Sequence, residues 1–235
     1  MSNNFEIKIC GINDKLCMDT AIESKADYIG LVFYDKSPRN LSLGDAQQLL
    51  KNRNQHSKIV ALTVNSDDDF IKDIKQKIKP DYFQFHGNET PLRCKEIKVK
   101  FDIPIIKGIG IKNKLDLIKA NQDYENLCDI ILLDSPSTIL PGGNGEMFNW
   151  NIIKKCEPQK KWMLAGGLNI NNIEQAVKIS NPPAIDISSG VEINKGIKDP
   201  EMIKNFISKC SIHLLLKGVK TENGLSCPVL KKPGS

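Results

Sequence analysis

Two side chains in this sequence are placed to move protons. Cys10 closes the short apolar run Ile7–Cys10 and precedes Gly11, and Asp134 follows the run Ile130–Leu133. A thiolate can remove a proton. A carboxylic acid can donate one, especially where partial desolvation favours its protonated form. A buried cysteine is more often inert packing, and an aspartate after an apolar run is more often a cap, so position has to decide. Arg39 follows Ser37-Pro38, and its planar guanidinium suits a carboxylate held through two hydrogen bonds. His86 ends the run Tyr82–His86; packing or a backbone bond is its commoner use, and substrate contact is the alternative. Asp186 sits in the last run, Ala184–Ile187. Two late stretches, Gly166-Gly167 and Ser188-Ser189-Gly190, could present backbone N–H groups to an anion such as a phosphate. Glycine also serves tight turns, which is the plainer use of either stretch alone.

These groups need elements to hold them. Eight short apolar runs read as strands: Ile7–Cys10, Tyr28–Phe33, Lys58–Val64, Tyr82–His86, Ile103–Ile109, Ile130–Leu133, Trp162–Ala165 and Ala184–Ile187. Their near-continuous apolarity suits strands covered on both faces of a parallel sheet. Helical patterns fall between them, at 14–25, 46–50, 67–79, 89–99, 114–120, 150–156, 171–180 and 200–209. Ser42 with Asp45 resembles a capping box, and Pro80 stops the third helix. Regular β-α alternation with short connections gives an α/β chain. An open doubly wound sheet is the rival to closure, and eight even units favour a single (β/α)8 barrel, the TIM-barrel architecture, over residues 1–210. Residues 211–235 read as a helix extension and a loose, disordered tail. In such a barrel the chemistry sits at the C-terminal ends of the strands, and loops seven and eight commonly hold phosphate. Every candidate above ends a strand or opens the loop after it, except Asp186, one residue before its strand's end, and Arg39, which lies further along loop two.

Composition narrows the class. The net charge is +5 from 33 basic and 28 acidic residues, and no basic run with interleaved aromatics marks a nucleic-acid face. Seven cysteines, with no C-x-x-C pair, argue against zinc or a dithiol and for free thiols in a reducing compartment. No leader pattern and no apolar run of membrane length is visible, so a cytoplasmic protein acting on a small phosphorylated molecule is expected, without nucleic-acid or membrane partners.

Seven segments together resemble the phosphoribosylanthranilate isomerase family. They are Lys8-Ile9-Cys10-Gly11, Leu31-Val32-Phe33 with Ser37-Pro38-Arg39, Gln84-Phe85-His86-Gly87, Leu132-Leu133-Asp134, Gly142-Gly143-Asn144-Gly145 with Phe148-Asn149-Trp150, Leu164–Leu168, and Asp186–Glu192. They run in the family's order from about residue 5 to residue 210. The resemblance implies an Amadori rearrangement in tryptophan biosynthesis, with Cys10 as general base, Asp134 as general acid and Arg39 on the anthranilate carboxylate. It places His86 and Asp186 at the substrate and the phosphate on Gly166, Gly167, Ser188, Ser189 and Gly190. It implies no metal or redox cofactor, and a monomer or homodimer. Asn144 stands where the family usually has Thr or Ser, and Asn149 where it often has Asp; altered loop bonding with intact chemistry is expected. A base role for Cys10 calls for some thiolate below about pH 8.5, the free-thiol value. Two related barrels fit less well: indole-glycerol-phosphate synthase uses Lys and Glu, and the isomerase of histidine biosynthesis uses two aspartates. A non-catalytic barrel that binds a phosphorylated ligand is the rival of another class.

Overall fold

The structure, a computed structural model, describes residues 6–53, 56–136, 149–155 and 157–221. Eight parallel strands close into one barrel in sequence order: β1 Glu6–Cys10, β2 Tyr28–Phe33, β3 Lys58–Thr63, β4 Tyr82–Phe85, β5 Ile105–Gly110, β6 Ile130–Asp134, β7 Trp162–Leu164 and β8 Ala184–Ile187. Closure is made by β1 on β8, in register Lys8 to Asp186. Helices α1 Lys15–Glu23, α2 Leu43–Leu50, α3 Asp68–Ile78, α4 Pro91–Phe101 and α5 Lys114–Tyr124 follow the first five strands in turn. After β7 and β8 come α6 Ile173–Ser180 and α7 Pro200–Thr221. Among the described residues, no helix is long and apolar enough to cross a membrane.

Local chemistry explains the helix boundaries. Asp14, Ser42, Asp67 and Thr90 each accept the backbone N–H three residues on, satisfying a donor that the first turn leaves open. At Ser42 the hydroxyl also donates to Asp45, whereas a complete reciprocal capping box stands at Asn113 and Asp116. Lys79, Asp102 and Asn181 end α3, α4 and α6 in the left-handed conformation. Two sequence expectations need correction. Glu89 lies outside α4, because Thr90 caps the helix and Pro91 opens it. Residues Trp150–Lys155 form a 3₁₀-helix, not an α-helix: Ile152 N–H closes on Asn149 C=O, three residues back. Phe70 of α3 is over a third exposed, while Ile71, Ile74 and Ile78 face the core. A small hairpin, β9 Glu192–Asn194 with β10 Ile197–Lys198, was not anticipated. The Gly142–Gly145 loop with Asn144, Phe148, and the tail beyond Thr221 lie outside the described residues.

The barrel separates two cores. Outward residues of the strands pack with α1 to α7 in one large cluster that includes Ile9, Ile29, Ile59, Phe83, Ile105, Leu133 and Ile185. Inward residues Tyr28, Val60, Ile106, Ile130, Leu132, Met163 and Ala184 fill the lower interior. The upper interior is where polar groups begin.

Candidate active site

Strand alternation decides which side chains enter the barrel. On β1, Ile7 and Ile9 pack outward, which leaves Lys8 and Cys10 on the inner face. The same parity turns Gln84 inward between Phe83 and Phe85, Asp134 inward beyond Leu133, and Asp186 inward between Ile185 and Ile187. Lys8, Gln84, Asp134 and Asp186 are all buried. Charged groups at such depth must be paired, and Lys8, Asp134 and Asp186 are.

Asp134 is held on both oxygens. Its Oδ1 accepts the Ser135 N–H at 2.7 Å, and its Oδ2 lies 3.1 Å from His86 Nε2. On the other side of the ring, Gln84 Nε2 lies 2.9 Å from His86 Nδ1. An amide N–H donates, so Nδ1 accepts, and Nε2 carries the ring proton that it gives to Asp134. The amide orientation and the ring tautomer go together: with the amide turned round, the ring proton would sit on Nδ1. The structure thus brings His86 to the candidate acid.

Arg39 comes from the loop between β2 and α2, and its stem crosses directly over Gly11. A side chain on Gly11, which has φ 78°, would overlap Arg39 Cδ. The Arg39 stem is therefore laid across the chain just after β1, and its guanidinium reaches Glu192. Its Nε and Nη2 donate to Glu192 Oε1 and Oε2 at 2.6 and 2.9 Å. That leaves the Nη1–Nη2 edge as the one a second carboxylate could meet. Glu192 also accepts from Lys198 Nζ at 2.9 Å and from the Gly196 N–H at 3.0 Å. Burial alone would raise its pKa, but Arg39 and Lys198 bring it down to about 2. Lys198 in turn donates to the Ser188 carbonyl at 3.1 Å, which ties the Arg39 clamp to loop eight.

Asp186 Oδ1 accepts from Lys8 Nζ at 2.8 Å. Burial pushes the Cys10 thiol up, against the expected easy ionisation; Lys8 and Lys198 pull it back, and Asp186 adds to the rise. Gly30 lies opposite Cys10 in the β1–β2 register. A Cβ there would lie 2.9 Å from Cys10 Sγ and 3.1 Å from Lys8 Nζ, so the missing side chain is what admits both groups.

The two late glycine stretches meet. Gly166 and Gly167 take φ 85° and 63°, and Asn172 Nδ2 fixes the Gly167 carbonyl at 2.8 Å. Gly190 presses against the Leu168 carbonyl with no room for a side chain. Gly166, Gly167, Ser188, Ser189 and Gly190 are all partly exposed at this junction. Gly190 is thus also a packing glycine.

Sequence reasoning passed over Lys8, Gln84, Glu192 and Lys198 as working residues. A lysine and a glutamine inside otherwise apolar strands were the available signals. For the hairpin, the signal was Asn194-Lys195-Gly196 between isoleucines, a glycine-bearing turn.

A family model for N-(5′-phosphoribosyl)anthranilate (PRA) isomerase matches residues 7–209. The chain belongs to the N-(5′-phosphoribosyl)anthranilate isomerase family. It is similar to that isomerase from Paramagnetospirillum magneticum, with 40% identity over 86% of this chain and 95% of the relative. The isomerase from Rhodopseudomonas palustris is 39% identical over 86% and 94%. The crystal structure of phosphoribosyl anthranilate isomerase from Thermotoga maritima is 33% identical, with a TM-score of 0.80 over 88% of this chain and 98% of that one. A crystal structure of the family's enzyme in complex with reduced 1-(o-carboxyphenylamino)-1-deoxyribulose 5-phosphate is 32% identical, with a TM-score of 0.77 over the same shares. The chain is an isomerase, and its reaction is the Amadori rearrangement of N-(5′-phosphoribosyl)anthranilate in tryptophan biosynthesis.

Proposed function

We propose that Cys10 is the general base and Asp134 the general acid of this isomerisation. The observation that carries the assignment is the convergence of a thiol, a paired carboxyl and a half-satisfied guanidinium on one end of the barrel. In the first step Asp134, acting in its protonated form, gives its proton to the ribose ring oxygen and is left as the carboxylate, which the His86 and Ser135 N–H groups hold. The C1–O bond breaks as the anthranilate nitrogen lone pair forms the C=N bond of a Schiff base. In the second step the Cys10 thiolate takes the C2 proton, and the electron pair neutralises the iminium nitrogen to give an enolamine. Tautomerisation moves the enol proton's equivalent to C1 and leaves the C2 ketone, 1-(2-carboxyphenylamino)-1-deoxyribulose 5-phosphate.

The remaining residues bind and orient. The open Nη1–Nη2 edge of Arg39 takes the anthranilate carboxylate. Asp186 accepts from a substrate hydroxyl or amine through the oxygen that Lys8 does not use. His86 fixes the Asp134 carboxyl and reaches substrate only through that edge of the site. Backbone N–H groups of Gly166, Gly167, Ser188, Ser189 and Gly190 receive the phosphate. Asn149 accepts from Asn151 at the start of the 3₁₀-helix, which supports a loop-bonding role for it. The protein works in the cytoplasm, as a monomer or a homodimer; the Thermotoga maritima relative is described as dimeric.

The test is the decay of anthranilate fluorescence on mixing freshly formed substrate with enzyme. A positioned proton-transfer group contributes about 10²–10⁴-fold, so Cys10→Ala should lose at least ~10² in kcat with its fold intact. Near-full kcat in that variant would remove Cys10 from the role.

A further inference from the structure

We propose that Lys8 is a positioning residue for the reaction: one buried cation for which Asp186 and the Cys10 sulfur compete, and whose release from Asp186 favours the thiolate. The inference rests on the reading of Cys10 as base, and its test needs no turnover.

Geometry places the three groups together. Lys8 and Cys10 are two apart on β1, so both project into the barrel, and Lys8 is fully buried. Asp186 stands opposite Lys8 in the closing β1–β8 register, with Nζ to Oδ1 at 2.8 Å. The space left by Gly30 is shared by Lys8 Nζ and Cys10 Sγ, at 3.1 and 2.9 Å from the same point. One ammonium thus bonds one carboxylate and shares the same space with one thiol, on the inner side of the barrel.

Charge counting gives the consequence. While Asp186 holds Lys8, the pair is neutral, and ionising Cys10 beside it leaves one buried negative charge uncompensated. The thiol then keeps its proton. If Asp186 is neutralised, or its charge is drawn to a substrate donor, Lys8 becomes the counter-ion of the sulfur, and the thiol ionises by losing its proton to water. The other groups facing Cys10 do not replace Lys8. Lys198 reaches it from β10, but its ammonium is bonded to Glu192 and to Ser188. Arg39 is likewise clamped by Glu192. Burial pushes the thiol up and Lys8 opposes it, in line with this arrangement. A base that stays protonated until substrate engages Asp186 would also be shielded from stray alkylation and oxidation.

The experiment is a pH titration of Cys10 in the enzyme without substrate. Thiolate is read as near-ultraviolet absorbance relative to Cys10→Ser, and independently as the alkylation rate of the Cys10 peptide by mass spectrometry. Asp186→Asn should lower the midpoint by about one pH unit, giving about tenfold faster alkylation at a fixed pH below it. Adding Lys8→Met to that background removes both partners of the pair together, and should reverse the shift. An unmoved or raised midpoint in Asp186→Asn overturns the proposal even if the double variant does not fold. A double variant that folds and keeps the lowered midpoint overturns it too. Retained kcat in Cys10→Ala would instead strike the base assignment and leave these titrations unaffected.

Discussion

Strand β6 carries an aspartate at each end, and the barrel uses them differently. Asp129, just before the strand, accepts the Ile105 N–H at 2.8 Å and holds Lys98 through both oxygens. Asp134, its last residue, is bonded to His86 and to the next backbone N–H. The first closes a backbone donor at the entrance of β5; the second presents a carboxyl to the barrel mouth. The lower device recurs. Asp27 accepts from Ile7 and Asp81 from Ile59, at 2.8 and 2.7 Å, and each of the three aspartates returns its own N–H to the same residue's carbonyl. Thus the aspartates before β2, β4 and β6 seal the starts of β1, β3 and β5, at the second residue of the first two and the first residue of β5. Backbone donors that would otherwise end in a buried rim are satisfied there. At the mouth, carboxylates bind other side chains, and parity points those side chains inward. One residue type therefore seals backbone donors at one end and meets inward-facing side chains at the other, according to what faces it.

The contrast can be sharpened by substitutions. The largest effect is expected at Glu192, a mouth residue that also carries stability. Its carboxyl is lowered from the usual 4.5 to about 2, so its contribution is full above pH 4.5 and is lost as pH falls through 2. The linkage is worth on the order of 3 kcal/mol. Glu192→Gln should remove that acid-range stability in denaturation curves. It should also raise KM by about tenfold with a smaller change in kcat, because Arg39 loses its anchor and a substrate carboxylate is held in both ground and transition states. Arg39→Ala should show the same KM direction. Parallel stability-pH curves and an unchanged KM would refute the clamp.

Next in size is Asp27→Ala, at the lower rim. It leaves the Ile7 N–H without its acceptor and should cost about 1–3 kcal/mol in urea unfolding. The kcat should stay as it is. A large loss of rate in a folded Asp27 variant would break the division between the two ends. The smallest effect is expected at Asn149→Ala. Removing an exposed cap from the short 3₁₀-helix should cost no more than about 1 kcal/mol, and leave kcat within a factor of a few.

Much of this is legible in the sequence. The eight strands announced themselves because both faces are covered, which demands continuous apolar runs. Cys10, Asp134 and Asp186 could be found by reading strand ends. The rule also hid what lies inside the strands: Lys8 and Gln84 break apolar runs, and only pairing across the barrel explains them. Glu192 and Lys198 belong to a hairpin, and Arg39 is 153 positions from its partner Glu192, so no local pattern could join them. The raised Cys10 thiol was not legible either, because it depends on burial and on which anion holds Lys8. The rim device left a trace, Asp27-Tyr28, Asp81-Tyr82 and Asp129-Ile130, which is an internal repeat once the register is known.

The most direct measurement compares Asp134→Asn with Asp129→Asn in the same purified background, recording kcat from the fluorescence decay and the urea midpoint for each. Asp134→Asn should lose at least ~10² in kcat and keep its midpoint nearly unchanged, whereas Asp129→Asn should shift its midpoint and keep kcat. If both variants lose rate alike, or if Asp134→Asn turns over normally, the two ends of the strand are not divided between structure and proton transfer, and Asp134 is not the acid.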